Sequence, residues 1–194
     1  KAKHVVLIGL DGWGAYSLPK ADMPNVKKLM EDGAYTLKKR SALPSSSAIN
    51  WASMFMGAGP ELHGYTEWGS KTPELPSRVL NKNGIFPTVF QLLRDARPEA
   101  EIGCLYEWEG IKYLVDTLSL NYHYHVADCN KTPKELGNMS SSYIKEKHPA
   151  LVAICFDGPD HTGHTEGHDT PAYYEKLKEL DSYVGQIVQA VKDA

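Results

Sequence analysis

The sequence predicts an α/β fold with a mostly parallel central sheet and helices on both faces, and three observations carry that reading. Short apolar runs closed by turn residues recur along the chain, segments with a helical spacing of apolar residues alternate with them, and two of the runs end in aspartate. In open parallel sheets ligands gather at the carboxyl ends of the strands, so an aspartate at that place is a site candidate.

The elements follow in order. Residues 5–10 (VVLIGL) read as a buried strand closed by Asp11-Gly12. Residues 23–32 read as a short helix, with Pro24 in its first turn, an apolar face of Val26, Leu29 and Met30, and Gly33 as its stop. Residues 34–43 alternate and are expected to form a strand, which Pro44 and three serines break before a helix over 48–56. Residues 59–87, rich in Gly, Pro, Ser and Trp, read as a long surface excursion. Beyond them the expected order is helix 88–96, strand 101–106, short helix 111–116, strand 121–126, helix 133–146, strand 151–156 and helix 171–191. The 194 residues are expected to form a single α/β catalytic domain. A βα alternation normally continues with another strand after a helix, so the expectation is of a fold truncated at its C-terminus, with further strands beyond Ala194.

Composition narrows the function. Apolar residues make up 42% and charged residues 23%, values of an ordinary globular chain. A net charge of -3 and the lack of a long basic run argue against a nucleic-acid polymer as partner. No apolar stretch approaches the roughly 20 residues that cross a bilayer. Cys104, Cys129 and Cys155 match no zinc spacing, and Cys104 and Cys155 fall inside apolar runs where a thiol packs as a small hydrophobe.

Three stretches carry candidate chemistry. Asp11 follows the first strand, Ser45-Ser46-Ser47 precedes a helix with Asn50 one turn on, and Asp157-Gly158-Pro159-Asp160-His161-Thr162-Gly163-His164 follows a late strand. A carboxylate and an imidazole four residues apart, Asp160 and His164, suit one divalent metal, with Gly163 allowing a tight turn between them. Taken singly, each stretch also reads as a helix cap or a turn.

Together they resemble the alkaline phosphatase superfamily, and within it the type I phosphodiesterase/nucleotide pyrophosphatase branch. The first strand of that superfamily ends in a metal-binding Asp, as in Ile8-Gly9-Leu10-Asp11-Gly12. The branch's Pro-x-x-Thr-x-Pro-Asn element is matched by Pro44, Ser47 and Asn50, and its Gly-x-x-Pro-Glu-x-His-Gly element by Gly57, Pro60, Glu61, His63 and Gly64. Its Glu-Pro-Asp-x-x-Gly-His element is matched from Pro159 to His164, with Gly158 in place of Glu. Further departures are Ser47 for Thr, Ile49 for Pro and Trp51 for the common His, and the family's Asp-His-Gly element and later His are absent from these residues.

The resemblance implies a metal-dependent hydrolase of phosphoric esters that works through a covalent phosphoserine, and implies a small-molecule phosphoric ester as its partner. Ser47 is then the nucleophile, Asn50 a donor to a non-bridging oxygen, and Asp11, Ser47, Asp160 and His164 ligands to two divalent ions, zinc by the family pattern. The two ions lack ligands here, so the isolated 194 residues are expected to be inactive. The resemblance favours an extracytoplasmic location. His63 is read as ordering its loop, His161 and His168 as flanking residues, and the His123-Tyr124-His125 alternation as packing. Rival readings are a phosphomonoesterase, sulfatase or phosphomutase of the same superfamily, or a silent binding module. The Leu10 to Gly14 start matches cofactor-independent phosphoglycerate mutases, but that family's nucleophile segment is missing, as is the x-Pro-x-Arg that follows a sulfatase nucleophile.

Overall fold

The structure is a computed structural model, described here over residues 2–126 and 133–194; Cys129 lies outside the described residues. Its elements run β1 (Val5–Leu10), α1 (Pro24–Asp32), α2 (Ser47–Met56), α3 (Pro60–His63), α4 (Val89–Ala96), β2 (Ile102–Tyr106), β3 (Tyr122–His125), α5 (Pro133–Lys147), β4 (Leu151–Phe156), α6 (Gly158–Glu166) and α7 (Pro171–Asp193). The four strands form one parallel sheet in the order β1-β4-β2-β3.

Alternation along each strand divides the sheet between two cores. Leu7, Ile102, Cys104, Tyr106, Leu151, Ala153 and Cys155 face α2 and α4, where Trp51 stacks on Phe55 and Phe55 meets Phe90 at a tilt. Val6, Ile8, Leu105, Val152, Ile154 and Phe156 face α5 and α7, meeting Leu136, Ile144, Leu180 and Ile187. Every residue of β2 and β4 is buried, which explains why those strands read as continuous apolar runs. The free thiols Cys104 and Cys155 are part of this packing. The N-terminus of α1 is fixed from α7: the buried Asp181 carboxylate accepts from the backbone N–H groups of Asn25 and Val26 at 3.0 and 2.8 Å.

Three expectations are corrected. Residues 34–43 form no strand; they are irregular and largely exposed, and β1 pairs only with β4 among the described residues. Their alternation has no neighbouring backbone to pair with, so it produces no ladder. The short helix expected over 111–116 is a 3-10 turn at Glu109–Tyr113, followed by another at Thr117–Ser119. The stretch after β4 is not a tight turn around Gly163 but the helix α6, with Pro159 in its first turn and Gly163 in its interior against the His168 ring. Among the described residues no helix is long and apolar enough to cross a membrane.

Candidate active site

The site is built at the carboxyl edge of the sheet, where β1 and β4 lie side by side. Leu10 pairs with Phe156, so Asp11 and Asp157 leave neighbouring strands at the same level, and the Asp11 N–H donates to the Phe156 carbonyl at 2.9 Å. Asp160 follows on the first turn of α6. Carboxylate oxygens of Asp11, Asp157 and Asp160 lie within 4.8 Å of one another. This approach depends on Gly12, which has φ +68° and whose absent Cβ would fall 2.5 Å from the Asp160 Cα.

Ser47 enters from the other side as the first residue of α2. It lines the same cavity as the Asp11 carboxylate. Oδ2 of Asp11 accepts from the indole Nε1 of Trp51 at 3.1 Å. Burial pushes the Asp11 carboxyl above its ordinary range; the Trp51 bond opposes this, the Asp160 charge adds to it and the nearby Ser47 hydroxyl opposes it again. His164 lies one turn beyond Asp160 on α6, its Nε2 3.4 Å from Asp160 Oδ2, with the imidazole largely exposed.

Ser47, Asn50, Asp11, Asp160 and His164 all line one cavity of about 1030 Å³, so the structure brings together the residues singled out in the sequence. Their hydrogen bonding differs in detail from the expectation. Both amide hydrogens of Asn50 are engaged, by the Ala42 carbonyl at 3.2 Å and the Ser46 carbonyl at 3.0 Å, while its Oδ1 accepts from the Ala42 N–H at 2.7 Å. Asn50 thus clamps the 41–45 segment to α2. The Ala48 N–H at the start of α2 donates to the Trp68 carbonyl at 3.1 Å and is not turned to the cavity.

Sequence reasoning gave no site role to three residues here. Asp157 is noted there as a strand-end aspartate but not as a ligand, although its place after β4 matches that of Asp11 after β1. Trp51, noted only as a departure, is bonded to Asp11. Tyr173 of α7, fully buried, donates to the Gly12 carbonyl at 2.8 Å and accepts from the Gly14 N–H at 3.1 Å, fixing the turn after Asp11; no local signal points to it. His63 is buried and orders its loop: its Nδ1 accepts from the Tyr65 N–H at 3.1 Å, so its Nε2 carries the proton toward Ser53 Oγ at 3.0 Å. His123 and His125 pack against Tyr106, and His168 lies edge-on to Tyr173.

The donor set fits a divalent cation. Three carboxylates this close repel one another, and burial disfavours the charge on Asp11, two penalties that a cation relieves. Asp11, Asp157 and Asp160 offer oxygen ligands, and His164 offers an imidazole beside Asp160.

Comparisons with known proteins give the family and the fold. The family model described as "Type I phosphodiesterase / nucleotide pyrophosphatase" matches residues 5–194. The chain belongs to that family. It is 24% identical to mouse bis(5'-adenosyl)-triphosphatase enpp4, over 98% of this chain and 43% of that protein. Among solved structures, an inactive murine ectonucleotide pyrophosphatase/phosphodiesterase 5 in complex with AMP superposes with a TM-score of 0.72 at 15% identity, over 98% of this chain and 53% of that one. A 2-O GAG sulfatase superposes with a TM-score of 0.73 at 12% identity, over 100% of this chain and 55% of that one, which shows the shared fold alone. The chain spans about half, or less, of the length of these relatives.

Proposed function

We propose that these residues belong to a single α/β catalytic domain that hydrolyses phosphodiesters or nucleotide-type phosphoric anhydrides through a phosphorylated Ser47. One observation carries this reading: Ser47, at the start of α2, lines the same cavity as the three-carboxylate cluster of Asp11, Asp157 and Asp160. The mouse relative's name, a dinucleoside triphosphatase, supports the anhydride class.

Two divalent ions, zinc in this proposal, held by Asp11, Asp157 and Ser47 and by Asp160 and His164, would supply Lewis acidity toward phosphoryl oxygens and acidify the Ser47 hydroxyl and a water. Ser47 loses its proton to solvent and its Oγ forms the bond to phosphorus. The bond from phosphorus to the leaving oxygen breaks, the electron pair departing on that oxygen. Asn50 exchanges its bond to the Ser46 carbonyl for a non-bridging oxygen, on the same side as Ser47. Water then attacks the phosphoserine, releasing the phosphate product and restoring the hydroxyl. Trp51 and Tyr173 keep Asp11 and its turn in place throughout. The relatives' ectoenzyme and pyrophosphatase names support an extracytoplasmic location for the whole protein.

The test compares a bis-aryl phosphate, a mono-aryl phosphate and an aryl sulfate on the zinc-supplied full-length protein and its Ser47→Ala variant. Diester turnover should dominate, and the variant should lose it by orders of magnitude while staying folded, since the lost hydroxyl contributes about 1 kcal/mol. Unchanged turnover in Ser47→Ala ends the covalent mechanism, and dominant sulfate turnover overturns the substrate class.

A further inference from the structure

One buried acid beside the site lies outside the three-carboxylate cluster. Glu107, the residue after β2, is almost fully buried. In the register that pairs Tyr106 with Cys155, the Glu107 N–H donates to the Cys155 carbonyl at 3.1 Å. The next bond of a parallel ladder runs two residues on, from the Asp157 N–H to the Glu107 main-chain carbonyl. Here that bond is replaced. The Glu107 carbonyl accepts from His125 Nε2 of β3 at 2.8 Å, and the Asp157 N–H donates to Glu107 Oε1 at 3.1 Å. A side-chain oxygen thus stands in for a ladder carbonyl at the last point where the chain of β4 meets that of β2. A main-chain carbonyl holds the N–H opposite it in the extended ladder, whereas a carboxylate on a two-methylene arm can follow the N–H as the chain turns out of the sheet. Asp157 does turn there. Its φ of -103° and ψ of -10° are helical, and it caps α6, its carbonyl already accepting from the His161 N–H at 3.1 Å. From that conformation the Asp157 carboxylate meets those of Asp11 and Asp160.

We infer that Glu107 is a positioning residue of this site. The reach of its carboxylate, not its charge, sets where β4 ends and α6 begins, and so holds Asp157 and Asp160 at the spacing from Asp11 that a divalent ion needs. The inference rests on the metal-dependent hydrolase reading above. Without the Glu107 oxygen, the Asp157 N–H either loses its protein acceptor or continues the ladder to the Glu107 carbonyl. In the second case the turn into α6 comes later, and Asp160 and His164, both carried by α6, move with it.

Two variants of the full-length protein separate reach from charge. Glu107→Gln keeps an oxygen at the same distance and removes the charge, while Glu107→Asp keeps the charge and withdraws the oxygen by one methylene. Each is measured metal-free by amide hydrogen exchange at Asp157, by calorimetric zinc titration, and by turnover of bis(4-nitrophenyl) phosphate with zinc supplied. In Glu107→Asp the Asp157 amide should exchange about tenfold faster or more, zinc affinity should fall about tenfold or more, and turnover should fall in kcat with KM nearly unchanged. Glu107→Gln should stay within about threefold of wild type in all three. A Gln variant that falls as far as the Asp variant makes charge the cause and overturns the inference, as does an Asp variant with wild-type exchange and zinc affinity. If Glu107→Asp does not fold, Glu107→Gln still decides, because a loss of zinc affinity there overturns the argument from reach and its retention supports it. Wild-type protein that binds zinc in this pattern but turns over no phosphoric ester removes the hydrolase reading and leaves the positioning role standing. Wild-type protein that binds no zinc overturns both.

Discussion

Replacing Trp51 by Phe isolates the indole that grips the carboxylate after β1. Trp51 is almost fully buried, stacks on Phe55 at 5.6 Å and lays its ring against Gly9, where any Cβ would come within 2.3 Å of it. Its indole N–H donates to Asp11 Oδ2 at 3.1 Å, so Phe keeps most of the packing and deletes the donor. A hydrogen bond to a charged group contributes about 1.5–3 kcal/mol, and the void left over Gly9 adds about 1 kcal/mol. At roughly 2–4 °C per kcal/mol for a domain of this size, metal-free protein should melt about 5–15 °C lower. Outer contacts that orient a metal-binding carboxylate typically carry about 10- to 100-fold in metal affinity. Zinc titration of the full-length protein by calorimetry, paired with melting curves with and without zinc, reads both effects. A zinc affinity in Trp51→Phe within about a factor of two of wild type would refute the positioning argument, even if the melting point fell as expected.

Asp157→Asn keeps the shape of the carboxylate cluster but removes one charge, so zinc affinity should fall about tenfold or more by titration while the melting point of metal-free protein holds or rises through reduced repulsion. Tyr173→Phe frees the Gly12 carbonyl and the Gly14 N–H, and should cost about 1–3 kcal/mol by denaturant unfolding, with a loss of diester turnover from the loosened Asp11 turn. Burial lowers the pKa of His63 below its unfolded value near 6.5, so the unfolded chain binds its proton first. That site therefore leaves stability intact above about pH 6.5 and erodes it as pH falls below. Denaturant unfolding from pH 7 to pH 5 should show this loss in wild type and a shallower one in His63→Gln, and equal slopes would remove His63 as its source.

The sheet was legible because its central strands β2 and β4 are buried on both faces. Residues 151–156 are apolar at every position, as a two-sided core asks, and residues 5–10 share that pattern although β1, at the edge of the described sheet, is only half-buried and Val5 is exposed. Asp11 was legible for the same reason, as a carboxylate at the point where such a run stops. Asp157 stands at the equivalent point of β4, but its importance comes from β4 lying next to β1, a pairing between segments far apart in sequence. Helix α6 was hidden by its composition: Gly158, Thr162 and Gly163 are poor helix formers, and its conformation is fixed by packing against α7 and the turn after β1. Residues 34–43 misled in the opposite direction. They have the pattern of a strand, yet their backbone is held at Ala42 by the Asn50 amide, a contact that spacing alone does not reveal.

The same adjacency explains why groups from separate parts of the chain can be held to chemical tolerances. A run of hydrogen bonds laces the carboxyl edge: the Asp11 N–H donates to the Phe156 carbonyl, the Asp157 N–H to Glu107 Oε1 at 3.1 Å, and the Glu107 N–H to the Cys155 carbonyl at 3.1 Å. His125 Nε2 closes the line on the Glu107 carbonyl at 2.8 Å, so all four strands contribute. Glu107 is buried, and its carboxylate lets the chain after β4 leave the sheet without an unpaired N–H. That backbone placement holds the Asp157 carboxylate beside Asp11 despite their repulsion. The carboxyl edge is consequently tied into the core beneath it, while the exposed 38–42 segment is attached through the Asn50 amide and the Ser41–Ser45 hydroxyl bond. Substitutions at Lys39 and Arg40 should therefore leave the carboxylates undisturbed, since loops at a site's rim vary more freely than the scaffold that carries the site.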